Sequence, residues 1–161
     1  MIGILSDSHD NIIALGRAVA LFRDRGCRLV LHAGDFVAPF AAKELAAARC
    51  PVKAVFGNCD GEVKGLTETV RDFGEVRRAP FIFKWEGLRF LLAHLDRMVE
   101  GYAAEKAYDI IIFGHTHKPE VRRAGSSLLI NPGEAGGWLT GRSTVALLDP
   151  VSRSVEIAPL V

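Results

Sequence analysis

Imidazoles, carboxylates and one carboxamide recur in this chain where apolar runs stop. Asp7 and His9 follow Met1 to Leu5, Asp35 follows Leu29 to Leu31, and Asn58 follows Val52 to Phe56. His94 follows Phe90 to Leu92, and His115 and His117 follow Ile110 to Phe113. If the apolar runs are strands of an open α/β sheet, their ends share one rim, and that rim is where such folds bind ligands. Asp7-Ser8-His9 and His115-Thr116-His117 each place two such groups at i and i+2, which on extended backbone point to the same side and can grip one ion or two adjacent ions. Imidazole nitrogen, carboxylate oxygen and amide oxygen, with no thiolate required, suit Mn, Fe, Zn, Co or Ni and not a structural zinc knot.

Singly, each block has an ordinary explanation. Asp7 to Asp10 has the composition of a helix-capping turn, Gly34-Asp35 of a strand-to-helix turn, and Gly57-Asn58-Cys59-Asp60-Gly61 of a tight turn. His115 and His117, set between Gly114 and Pro119, have no evident packing task. The coincidence of such groups at every strand end decides for a metal site. His32 stays outside it: three residues before Asp35, it falls on the opposite side of an ideal strand, where a core histidine satisfied by hydrogen bonds is expected.

The elements that must position these groups are legible in outline. Ile12, Leu15, Val19 and Phe22 recur at helical spacing after Asp10, a candidate N-cap, and the pattern stops at Gly26, predicting a helix over about 11–25. Pro39 opens a second helix running to Arg49, with Pro51 preventing its continuation. Each helix links two apolar strands. Leu29 to Leu31 and Ile110 to Phe113 lack clean alternation, as expected of strands covered on both faces. Phe81 to Lys84 and Leu88 to Leu92 flank Trp85-Glu86-Gly87 as a hairpin. Leu128 to Ile130, Thr144 to Leu148 and Val155 to Ile157 read as further strands, so a mixed sheet follows the parallel one. The glycine-rich stretch Gly133 to Gly141 is expected as a loop near the site.

At 161 residues the chain is expected to form one domain, 1–161, and a domain of this size buries roughly 70% of its unfolded-chain surface. With 20 Lys and Arg against 19 Asp and Glu, it offers no general electrostatic case for nucleic acid or an anionic membrane. Three cysteines, Cys27, Cys50 and Cys59, lack a CxxC pair, so neither a disulfide framework nor a thiolate zinc site is expected. That usage, with no leader-like start and no apolar run of membrane-spanning length, predicts a cytoplasmic protein. A homo-oligomer is compatible with the chain.

In their order, Asp7-Ser8-His9, Gly34-Asp35, Gly57-Asn58-Cys59-Asp60, His94 and Gly114-His115-Thr116-His117 resemble the calcineurin-like metallophosphoesterases. Asn131-Pro132-Gly133 is similar to their small single-domain phosphodiesterases of archaea and bacteria. The resemblance runs from Met1 to about Gly133. It implies a four-layered α/β/β/α sandwich of two mixed sheets flanked by helices. It also implies two divalent ions, manganese first, with nickel, iron, zinc and cobalt as alternatives. By the family pattern Asp7, His9 and His117 hold one ion, Asn58, His94 and His115 hold the other, and Asp35 bridges them. Asp35, Asn58, Cys59 and Asp60 carry the catalytic work, and two such ions bring a bridging water to a pKa near 7 or below. The implied activity is hydrolysis of small phosphodiesters. A phosphomonoesterase or cyclic-nucleotide phosphodiesterase with the same metals, and a non-catalytic scaffold of the same fold, are the alternatives.

The chain departs from the family pattern in three places. Cys59 stands where most relatives have a histidine able to protonate the leaving oxygen. Leu95-Asp96 follows His94 where relatives usually have glycine and histidine, so Asp96 is expected as a helix cap before Arg97 or as a partner of His94. Glu134 stands where a small polar residue is commoner.

Overall fold

Strands form from the apolar runs because both of their faces are covered. In the computed structural model, which describes residues 1–160, the chain first runs through β1 (Ile2–Leu5), α1 (Ile12–Asp24), β2 (Leu29–His32), α2 (Pro39–Ala42), a 3-10 segment Lys43–Ala48, β3 (Val52–Val55), α3 (Val63–Val70) and β4 (Gly74–Arg77). It continues with β5 (Phe81–Trp85), β6 (Leu88–Leu92), a 3-10 turn Asp96–Met98, α4 (Val99–Ala104), β7 (Ile110–Ile112), β8 (Glu120–Ala124), β9 (Ser127–Asn131), β10 (Thr144–Leu148) and β11 (Val155–Pro159).

Two mixed sheets result, with strand orders β11-β10-β1-β2-β3-β4 and β5-β6-β7-β9-β8. Alternate residues of each strand enter different cores. Ile2, Ile4, Leu29, Leu31 and Val55 face Phe90, Leu92, Ile110, Ile112 and Ile130 between the sheets. Leu5, Val30 and Ala54 face Leu15, Val19, Phe22, Leu45 and Leu66 of the helical layer. Leu91, Ile111 and Leu129 turn outward onto Val99 and Ala103 of α4. Burying each such side chain is worth about 1.5–3 kcal/mol. The expected α/β/β/α layering is therefore present.

Chain order and sheet order part company at the end. β10 and β11 return to the first sheet, β10 lying antiparallel to β1 with Ile4 opposite Ala146, and this makes that sheet mixed. The N-cap of α1 is Asn11, whose side chain accepts from the Ala14 N–H, whereas Asp10 accepts from the Ala38 N–H and ties the entries of α1 and α2 together. The second predicted helix is α-helical only over Pro39–Ala42 and then tightens to 3-10, ending on Arg49 at φ 57°. The longer rise per residue of the 3-10 form carries the chain to Pro51. α3 escaped the periodicity because it is short and contains Gly65, Thr67 and Val70, all weak helix formers. No helix among the described residues is long and apolar enough to cross a membrane.

Candidate metal centre

The residues at the strand ends are held by turns, not by extended backbone. Asp7 (φ 54°), His9 (41°), Asp35 (61°), His115 (70°) and His117 (60°) all adopt left-handed conformations, which corrects the expectation that the i, i+2 pairs share a side of a strand. Each such L-residue carries strain of roughly 1–2 kcal/mol. Cross-loop bonds impose it: Asp7 N–H donates to Gly34 O, His9 N–H to Asp35 O and Gly114 N–H to His94 O. Asn131 Nδ2 donates to both Gly114 O and Thr116 Oγ1 at 3.0 Å, pinning the loop that carries His115 and His117. The loops approach closely where glycine precedes a site residue. A Cβ on Gly57 would stand 2.0 Å from Asp35 Oδ1, and one on Gly114 2.0 Å from Ser6 Oγ.

Asp7, His9 and His117 converge. Asp7 Oδ2 accepts from the His115 N–H, so Oδ1 is left facing His117 Nε2 at 3.3 Å and His9 Nε2 at 3.9 Å. The two rings stack with centroids 5.3 Å apart. Asp7 Oδ1 and His9 Nε2 are buried without a hydrogen-bond partner, an arrangement that costs about 1–3 kcal/mol per group unless something else is bound. Burial pushes the Asp7 carboxyl above its ordinary pKa, against the opposing pull of Ser6, His94 and His117. A divalent cation between these atoms would satisfy all three.

The second group is built on Asp35. Its Oδ1 accepts from the Cys59 N–H at 2.8 Å, leaving Oδ2 between His9 Nε2 at 3.8 Å and His94 Nε2 at 3.5 Å. His94 Nδ1 lies 2.8 Å from the Ala33 carbonyl, so Nδ1 carries a proton and Nε2 is turned to the site, where burial opposes protonation of the ring but Asp35 outweighs it and raises the His94 pKa. Nε2 is 2.8 Å from Asn58 Oδ1, an acceptor. That contact, beside a carboxylate, calls for a proton or a metal ion in the gap. His115, exposed, stands edge-on to His94 with ring centroids 5.2 Å apart, outside the groups whose ligand atoms converge. Burial opposes ionisation of Asp35, but His94 and the Cys59 N–H outweigh it and hold the carboxyl well below its usual pKa.

Three neighbours position these groups. Asp60, expected among the reacting residues, has its carboxylate engaged by the N–H groups of Asp35 (2.9 Å), Gly57 (2.7 Å) and Val37 (2.8 Å), which makes it the clamp between two site loops. His32 is the buried core histidine that was expected. Its Nδ1 accepts from the Gly34 N–H and its Nε2 meets Ser8 Oγ at 3.0 Å, and burial lowers its pKa to about 3. A neutral ring accepting at Nδ1 must donate at Nε2, so His32 cannot serve Ser8 as a base. Glu134, fully buried, lies 3.2 Å from His117 Nδ1, within ion-pair reach but off the line of a hydrogen bond. Burial alone would raise its pKa, but the N–H groups of Leu139 and Thr140 and the Thr140 hydroxyl lower it. The sequence marks Glu134 only as a departure after Asn131-Pro132-Gly133, because its meeting with His117 is long-range and set by the loops.

Neither expectation for Asp96 holds. It is exposed at the start of a 3-10 turn without a side-chain cap bond, and the partner of His94 is the Ala33 carbonyl. Cys59 lies on the exposed rim, its thiol pushed up to about 11 by partial desolvation and then by Asp35, Asp60 and Asp7.

A cavity of about 620 Å³ opens over the centre, lined by His9, Asp35, Asn58, Cys59, His115 and His117 and walled by Trp138 and Leu139. Trp138 is 65% and Leu139 80% exposed, yet the indole is fixed, Nε1 donating to His9 O at 3.0 Å. The cavity joins a polar floor suited to cations and an anion with an apolar wall.

Residues 1–153 match the model of the calcineurin-like phosphoesterase superfamily domain, and the chain belongs to that superfamily of metal-dependent phosphate-ester hydrolases. It is 36% identical over 152 residues to a phosphodiesterase of Methanocaldococcus jannaschii, covering 92% of each chain. A solved structure described as a novel archaeal phosphodiesterase superposes with a TM-score of 0.94 at 32% identity over 99% of both chains. Vps29 of Chaetomium thermophilum shares the fold, with a TM-score of 0.68 at 15% identity over 98% of this chain and 94% of that one.

Proposed function

We propose that the protein is a phosphodiesterase that hydrolyses small organic phosphodiesters at a two-metal centre. Asp7, His9 and His117 would hold one ion and Asn58, His94 and His115 the other, with Asp35 shared between them. The observation that carries this reading is the position of Asp35 Oδ2, 3.8 Å from an imidazole of the first set and 3.5 Å from an imidazole of the second. Mixed nitrogen and oxygen donors are compatible with manganese, nickel, iron, zinc and cobalt, of which the family pattern puts manganese first. When bound, two divalent ions supply the charge that acidifies water and polarises phosphate oxygens.

The chain's own groups do the rest. Asp60 and the glycine contacts hold the loops at fixed spacing, and Trp138 and Leu139 exclude water from one ester arm while offering it an apolar surface. Cys59, a neutral thiol, protonates a leaving oxygen poorly. That weak acid favours esters with stable leaving groups. The names of the close relatives favour a diester over a monoester. The likeness to Vps29 is one of fold alone, and retention of every expected ligand type argues against a scaffold without metals.

Protein stripped with chelator and reloaded with manganese tests this. Bis(p-nitrophenyl) phosphate should be hydrolysed faster than p-nitrophenyl phosphate, and activity should vanish on stripping. Faster monoester hydrolysis would favour the phosphomonoesterase alternative, and metal binding without any hydrolysis would favour the scaffold.

A further inference from the structure

Beside the metal centre lies a second cavity of about 390 Å³, and Asn58 lines both. His94 is also on its wall, so it opens directly beside the second group of metal-binding side chains. Arg78 and Arg97 line it too, together with Phe56 and Tyr102. The volume lies in the range of small-molecule sites. Both arginines are exposed, and neither forms an ion pair or side-chain hydrogen bond among the described residues. Arg97 comes from the segment after His94 where the sequence leaves the family pattern. Since the chain's net charge is only +1, two unpaired guanidinium groups at one cavity are a local feature and not part of a basic surface.

We propose that this cavity is a subsite for a second phosphate group, carried on a ring-containing arm of the phosphodiester substrate. This rests on the phosphodiesterase reading above and specifies its substrate. A phosphodiester has two arms. Trp138 and Leu139 line the cavity over the centre, whose lining includes no Lys or Arg, while Arg78 and Arg97 line the cavity that shares Asn58 with it. Planar guanidinium forks match phosphate oxygens bidentately, and Phe56 and Tyr102 offer faces for a sugar or base. The preferred substrate is therefore unsymmetrical, with a terminal phosphate on the arm that lies over Asn58 and His94.

Two esters separate the possibilities: thymidine 5′-(p-nitrophenyl phosphate) and the same compound bearing a 3′-phosphate. With manganese-loaded enzyme the 3′-phosphate should raise kcat/KM about tenfold, mostly through KM. In Arg78→Ala/Arg97→Ala the ratio should fall to about one. In Arg17→Ala/Arg123→Ala, which removes the same charge from exposed positions outside both cavities, it should persist. The ratio is taken within one preparation, so a smaller folded fraction cancels. Should the double variant fail to fold, the wild-type ratio must itself shrink as salt rises from about 0.02 to about 0.5 M, and a salt-independent ratio overturns the subsite. Equal hydrolysis of the two esters, or a preference surviving the double substitution, removes the subsite and leaves the phosphodiesterase standing. Hydrolysis of neither ester removes both.

Discussion

Oε1 of Glu134 lies 3.2 Å from Nδ1 of His117, while the other nitrogen of that ring faces Asp7 Oδ1 at 3.3 Å. The imidazole is thus set between a carboxylate within ion-pair reach and one that would share its proposed ion. Glu134→Gln removes the charge and keeps the shape. Metal affinity at one of two sites should fall about 10- to 100-fold, as when other carboxylates behind histidine ligands are changed. Competition with a chromophoric chelator measures this, and two unchanged affinities would show that Glu134 serves only the loop it caps at Leu139 and Thr140.

Asp35 offers the sharper test of a shared ligand. Asp35→Asn can still accept from the Cys59 N–H but lacks the negative oxygen between the two imidazole sets. Elemental analysis of the purified, metal-reconstituted variant should find fewer than one ion per chain against two in the wild type. Retention of two ions would overturn the assignment of Asp35 as the bridge.

The left-handed backbone at the site makes a prediction about stability. His115 is exposed and sits at φ 70°, so its replacement changes backbone strain with little loss of packing. In metal-free protein His115→Gly should be more stable than His115→Ala by about 0.5–1 kcal/mol, because relief of left-handed strain exceeds glycine's unfolded-state entropy. Chemical denaturation gives both values. An alanine variant as stable as the glycine variant would mean that residue 115 relaxes when the ring is gone.

Cys59 bears on the leaving group. General-acid assistance is typically worth 10² to 10⁴-fold and matters most for poor alkoxide leaving groups, and a thiol with pKa pushed up to about 11 supplies little of it. Cys59→His should raise turnover of alkyl phosphodiesters at least about tenfold more than that of nitrophenyl esters. A parallel change in both classes, at constant metal content, would place the decisive proton elsewhere.

What the sequence by itself determined is the identity of the converging groups. Apolar runs buried on both faces can only be interior strands, their ends share a rim, and so Asp7, Asp35, His94 and His115 could be placed together before any coordinates. Glycines before Asp35, Asn58 and His115 marked the turns. Only the tertiary structure decided which atoms face which. The left-handed turns at Asp7, His9 and His117 are imposed by bonds between loops far apart in the chain, so local periodicity could not reveal them. Asp60 reads as one more polar turn residue until three backbone N–H groups from two loops converge on its carboxylate. The return of β10 beside β1 and the meeting of Glu134 with His117 are likewise long-range, set by packing of the sheets and not by any signal within a short window.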